Sequence, residues 1–110
     1  MAILLGALEQ SNSYPVSAIR DVVVFPRTEN VLVFGRKKSL MAIDEALKKD
    51  KKIVLLMQKN PSQDDPKATE LYQIGILATI EKTVVGEKGE VNALVKGIEK
   101  IKVLEFTKEI

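Results

Sequence analysis

Short apolar runs of β type lie on either side of a single helical stripe. Tyr14-Pro15-Val16-Ser17-Ala18-Ile19 alternates loosely and predicts a first strand, with Pro15 near its start, where a missing N–H is tolerated. Val22-Val23-Val24-Phe25 is a β-branched run ended by Pro26, and Val31-Leu32-Val33-Phe34 is another, stopped by Gly35. Leu40, Ile43, Ala46 and Leu47 then recur at helical spacing, with Asp44, Glu45, Lys48 and Lys49 on the other face. This predicts an amphipathic helix over about residues 37–49, its acids placed before its lysines as the macrodipole prefers.

Residues 53–57 are continuously apolar and short, which predicts a strand buried on both faces. Asn60-Pro61-Ser62-Gln63-Asp64-Asp65-Pro66 cannot continue it and reads as a surface loop. Residues 71–85 read as a long strand with Ile76, Ala78, Ile80 and Val84 on one parity. Gly86-Glu87-Lys88-Gly89 is a hairpin turn, and Val91-Asn92-Ala93-Leu94-Val95-Lys96 is the return strand. Gly97 suggests a bulge or bend, after which residues 98–106 continue as strand, Ile101 and Val103 on one parity and Lys100 and Lys102 on the other. The fold class expected is α+β, mainly β: about six strands in a curled, mostly antiparallel sheet covered by one helix. Residues 1–13 read as a leader, and residues 14–110 as the domain proper.

Composition narrows the chemistry. A chain of 110 residues suits one domain. It has no Cys and no His, which excludes disulfides, thiol nucleophiles, the usual zinc sites and histidine acid–base catalysis. The absence of Cys fits a reducing compartment. No apolar run approaches a membrane span. Ile3-Leu4-Leu5-Gly6-Ala7-Leu8 is short and has no basic residue before it, so it reads as no export signal, and the location expected is cytoplasmic.

Net charge is +2, but residues 36–52 hold seven cations against three acids. These lysines sit at both ends of the helix, with acids between them and no aromatic partner. They read as a solvated helix face rather than a nucleic-acid site. Lys38-Ser39 resembles the end of a phosphate loop, but Lys37 and Leu32 stand where that loop requires glycines. Asp44-Glu45 diverge by about 100° on a helix. Asp64-Asp65 lie in the proline-flanked loop, and neither pair is set up for acid–base work. No spacing marks a Ser-Lys dyad. The residues themselves thus describe a binding module without catalytic machinery, and with no cofactor or metal site. The leader and the run at 31–34 are its candidate sticky surfaces.

Tyr14-Pro15-Val16-Ser17-Ala18-Ile19-Arg20-Asp21-Val22-Val23-Val24-Phe25-Pro26 closely resembles the opening of the N-terminal domain of the Lon family of ATP-dependent proteases. The likeness continues in order through Val33-Phe34-Gly35-Arg36-Lys37-Lys38-Ser39, Gln58-Lys59, Asp65-Pro66, Leu71-Tyr72-Gln73-Ile74-Gly75 and Val95-Lys96-Gly97-Ile98-Glu99. It covers about residues 14–104. The resemblance implies a small antiparallel β-pseudobarrel with one helix, the non-catalytic recognition and assembly part of a longer ATP-dependent serine endopeptidase. ATP and magnesium belong to the family's ATPase module, which is absent here, as is its Ser-Lys protease module. Ile110 falls where the family chain normally continues, which favours a fragment. The implied partners are unfolded or misfolded proteins and the other subunits of a hexameric ring, with no nucleic acid and no membrane.

One departure stands out. After Phe-Pro the family usually shows Gly-Met-Val-Ile-Pro-Leu, where this chain has Arg27-Thr28-Glu29-Asn30-Val31-Leu32. The expected substrate-binding residues are Val31, Leu32 and Phe34, with Leu4, Leu5 and Leu8 from the leader. Arg20, Asp21, Pro26, Gly35, Gly75 and Gly97 match family motif positions and are assigned structural roles. A stand-alone protein- or ligand-binding module of the same fold, and an RNA-binding barrel, are the alternative readings.

Overall fold

The computed structural model describes residues 2–7, 10–20, 24–64 and 66–106, with side chains described over 14–20, 24–64, 66–67 and 69–103. The elements are β1 (Ala2–Ala7), β2 (Gln10–Ile19), β3 (Glu29–Phe34), α1 (Lys37–Leu47), β4 (Lys52–Met57), β5 (Ile74–Val85) and β6 (Val91–Phe106). A 3-10 turn spans Ala68–Glu70. The strands run in the order β1-β2-β4-β5-β6-β3, and β1 also pairs with β6. The sheet therefore curls into a ring of five strands, with β3 added on the far part of β6.

Long strands make this closure possible by changing partners along their length. The first half of β2 pairs with β1, from Pro15 opposite Ala2 to Gln10 opposite Ala7. Its second half, Val16 to Ile19, runs parallel to Val54 to Met57 of β4. That parallel pair needs a long crossover, which β3 and α1 supply. β6 likewise gives residues 91–96 to β3 and its last residues to β1. Much of the expected leader is thus strand, paired into the same sheet as the rest of the chain. Of the run at 22–25, residues 22 and 23 lie outside the described residues. Val24 is buried, and Phe25 is exposed at a turn.

Two apolar clusters fill the two sides of β4. Ile53 and Leu55 face one, with Leu32, Phe34, Ile43, Ile80 and Val95. Val54 and Leu56 face the other, with Val16, Leu71, Leu77 and Val103. These four residues are essentially inaccessible, as the continuous apolar run predicts, while Met57 at its end is half-buried. Burying each contributes about 1.5–3 kcal/mol.

The helix is one turn-fragment shorter than expected, and its buried stripe is shifted. Ser39, Ala42, Ile43 and Ala46 face inward, whereas Leu47 is 39% exposed. The reason is close packing. Ala42 and Ala46 are fully buried, and the Ser17 hydroxyl donates to the Ser39 hydroxyl at 2.9 Å. Small residues let the helix axis approach β2, which leaves the larger Leu40 and Leu47 at the margins. The macrodipole expectation also fails at the start, since Lys37 and Lys38 open the helix and its first turn holds no acid. The charges instead pair lengthwise, Lys48 with Asp44 at 2.9 Å and Lys49 with Glu45 at 3.3 Å.

Two register shifts bend the β5–β6 ribbon. Ile98 is the extra residue opposite Leu77 and Ala78, next to Gly97, and Glu81 is the extra residue on β5. At Gly97 the backbone of Phe25 and Pro26 comes so close that a Cβ would strike the Phe25 carbonyl oxygen. Backbone bonds clamp this contact, Arg27 N–H to Gly97 O at 2.8 Å and Gly97 N–H to Thr28 O at 2.9 Å.

Candidate functional site

The outer side of the sheet where β3, β6 and β5 meet carries an exposed apolar face. Residues directly opposite in an antiparallel pair share a side. Val31 lies opposite Leu94, which lies opposite Lys82. Val33 lies opposite Asn92, which lies opposite Val84. Val31, Val33 and Val84 are each about two-thirds exposed, at 66%, 66% and 65%. Leu94 is half-buried between them. Glu29, Lys96 and Lys82 border this patch. The Glu29 carboxyl, hydrogen-bonded to Glu81, pushes the Glu81 pKa up; partial loss of water and the like charge act in the same direction, while Lys96 and Lys82 oppose them.

The bulge at Glu81 is what puts Val84 here. Before it, Ala78 and Ile80 face the core. After it the parity inverts, so Val84 points outward rather than joining Ile80 as its even spacing suggested.

A cleft of about 400 Å³ adjoins this patch, lined by Ala18, Ile19, Arg20, Leu32, Val33, Phe34, Gly35, Arg36 and Ser39. The Arg36 guanidinium reaches across to donate to Ala18 O at 3.2 Å and to Asp64 O at 3.1 Å. Arg20 donates to Pro61 O at 3.2 Å and meets the exposed Asp64 carboxylate at 3.4 Å. A more open hollow of about 360 Å³ is lined by Lys59, Asn60, Ser62, Gln63, Thr69 and Glu70. Beside it the buried Gln58 amide holds the loop by donating to Asn60 O and Gln63 O. Among the described residues there is no cluster of three acidic groups fit for a metal, and no helix long and apolar enough to cross a membrane.

The expected site residues divide. Val31 is on the exposed face. Leu32 and Phe34 are only 4% exposed and belong to the core around Ile43, so their side chains hold the strand rather than face a partner. Leu4 and Leu5 lie on β1, where the backbone alone is described, opposite Ser13 and Asn12. Leu8 lies outside the described residues. Val84 and Leu94 were not singled out as site residues in the sequence, and Val33 entered only as part of the run at 31–34. Strict alternation from Val31 would have found Val33, whereas finding Val84 requires knowing the bulge.

The structure is thus a curled β-sheet domain with one helix packed on β2 and β4 and an apolar sheet face beside an open cleft. The family described as the ATP-dependent protease La (LON) substrate-binding domain matches residues 13–110. The chain belongs to that family. It is 41% identical over 98 residues to the Lon protease of Aquifex aeolicus and 39% identical over 93 residues to that of Azospirillum brasilense. These matches cover 87% and 84% of this chain but 12% of each relative, so the chain spans about an eighth of their length. The fold is shared with the N-terminal domain of a Mycobacterium avium complex Lon protease, at TM-score 0.63 and 18% identity, covering 88% of this chain and 56% of that one. A Lon N-terminal domain protein from Xanthomonas campestris gives TM-score 0.63 at 16% identity, covering 86% of this chain and 50% of that one.

Proposed function

We propose that this domain captures exposed apolar segments of unfolded or misfolded proteins for a Lon-type ATP-dependent protease. In that reading the domain grips. ATP hydrolysis, with magnesium, and peptide cleavage belong to modules elsewhere in the longer protein, which works in the cytoplasm as a homo-oligomer, a hexameric ring. The observation that carries the reading is the apolar face of Val31, Val33, Leu94 and Val84, three of its four members standing well into solvent. An exposed apolar sheet face is a place where another chain can dock. Its flatness suits many partners rather than one.

The test is binding of the chain to a permanently unfolded, carboxymethylated protein and to the same protein in its native state, followed by fluorescence anisotropy. The unfolded form should bind and the native form should not. Val31→Ser with Val84→Ser should weaken capture about tenfold, a loss of about 1.4 kcal/mol, with the melting transition kept. Equal binding by the variant, or no binding by the wild type, would remove the proposal. Nothing in the geometry favours the RNA-binding alternative.

A further inference from the structure

The edge of β3 is a second feature of this surface, separate from its valine face. Among the described residues β3 pairs only with β6, so its other edge has no strand partner. The phase of the ladder is set by the bond from Gly97 N–H to Thr28 O. Counting by twos along the antiparallel register, Asn30, Leu32 and Phe34 direct their backbone groups at β6. Glu29, Val31 and Val33 direct theirs at the open edge. That edge has none of the usual guards: β3 contains no proline, no lysine and no bulge, and its one charge is Glu29 at the start.

The cleft runs along this edge rather than over a face. Leu32, Val33, Phe34 and Gly35 all line it, and successive residues of a strand point to opposite sides, so only the edge is common to all four. Its opposite wall is the end of β2. There Ile19 O accepts from Gln58 N–H and so faces β4, while Ala18 O faces the cleft and is held by Arg36. The cleft is therefore a break in the sheet between two strand edges. The charges lining it are Arg20 and Arg36, and both are engaged: Arg20 meets the Asp64 carboxylate, and Arg36 donates to Ala18 O and Asp64 O.

We infer that an extended segment of client polypeptide docks along this cleft as an added strand, paired by its backbone to the Val31 and Val33 edge of β3. This rests on the capture reading above and names its mode. Backbone pairing supplies affinity without regard to sequence, and the neighbouring valines reward apolar residues at alternate positions.

The probe is a short synthetic peptide of alternating Val and Thr, titrated into the full chain. It is compared with the same peptide N-methylated at alternate amides. On binding the first peptide, the Val31 and Val33 amides should slow in hydrogen exchange, while Asn30 and Leu32, already bonded to β6, should change little. N-methylation should cost tenfold or more in affinity. Val33→Pro, which removes an outward N–H and leaves the β6 ladder intact, should cost the same. If the N-methylated peptide binds equally well, capture is by the valine face alone: the strand mode falls and the capture reading stands. If neither the peptides nor the carboxymethylated protein bind, both fall. If Val33→Pro does not fold, the peptide comparison and the exchange pattern decide. If the chain pairs with itself in sedimentation and Val33→Pro abolishes this, the occupant is a second copy and the inference is overturned.

Discussion

Arg27 occupies a backbone position that suits glycine. Phe25-Pro26-Arg27-Thr28 is a turn closed by Thr28 N–H to Phe25 O, with Pro26 at its second position and Arg27 at φ 66° at its third. A type II turn requires that left-handed residue, and the Lon-family pattern has Gly there. The departure visible in the sequence is thus a backbone matter as much as one of surface polarity. Arg27→Gly should raise stability by up to about 1 kcal/mol, read as a later denaturation midpoint at unchanged slope. Gly97, against which this turn is clamped, gives the opposite case. Gly97→Ala drives a methyl into the Phe25 carbonyl and should cost more than about 2 kcal/mol, measured the same way.

Glu81 makes a pH prediction at the same scale. Its pKa lies above the ordinary glutamate value because Glu29 is hydrogen-bonded to it and carries like charge. In the window from that ordinary value up to the raised one, the folded chain binds more protons than the unfolded chain. Stability therefore falls as pH rises through this window and is regained on acidification. Glu81→Gln should flatten that slope in melts taken across mildly acidic pH.

At the scale of elements, what could be read from the sequence was whatever depends on local pattern. The apolar run at 53–57 becomes β4, buried on both sides, and the turn at 86–89 joins β5 to β6. Gly97 marks the register shift at Ile98. What escaped depends on contacts distant in sequence. The helical stripe shifted because Ala42 and Ala46 can approach β2 and a leucine cannot. Val84 changed sides because one residue was inserted at Glu81. Leu32 and Phe34 looked like a sticky run, but alternation on a half-buried strand sends them inward and sends Val31 and Val33 out. The helix offers a direct check of the corrected face. Ile43→Asp buries an unpaired charge and should abolish the cooperative thermal transition. Leu47→Asp sits at the exposed margin and should shift it by only a few degrees.

For the whole molecule, the division of labour follows from where the apolar residues went. Both clusters of the core are used up by β4, α1 and the inner sides of the ribbon, so the valine face contributes little to the fold and is free to bind. One such face is small: three exposed valines and a half-covered leucine bury too little to hold a client tightly. The capture reading therefore demands several copies acting on one client, which is a physical reason for a ring. Two copies of this chain joined by a flexible linker should bind a long unfolded polypeptide roughly 10²–10⁴ times more tightly than one copy does. The same tandem should bind a short peptide, which can fill only one site, no better than a single copy per site. Because the contact is apolar, the gain should persist at high salt, whereas binding through the lysines of α1 to an anionic chain would fall steeply there. Equal affinity of single and tandem forms for the long client, measured at equal site concentration, would mean that a single domain grips alone.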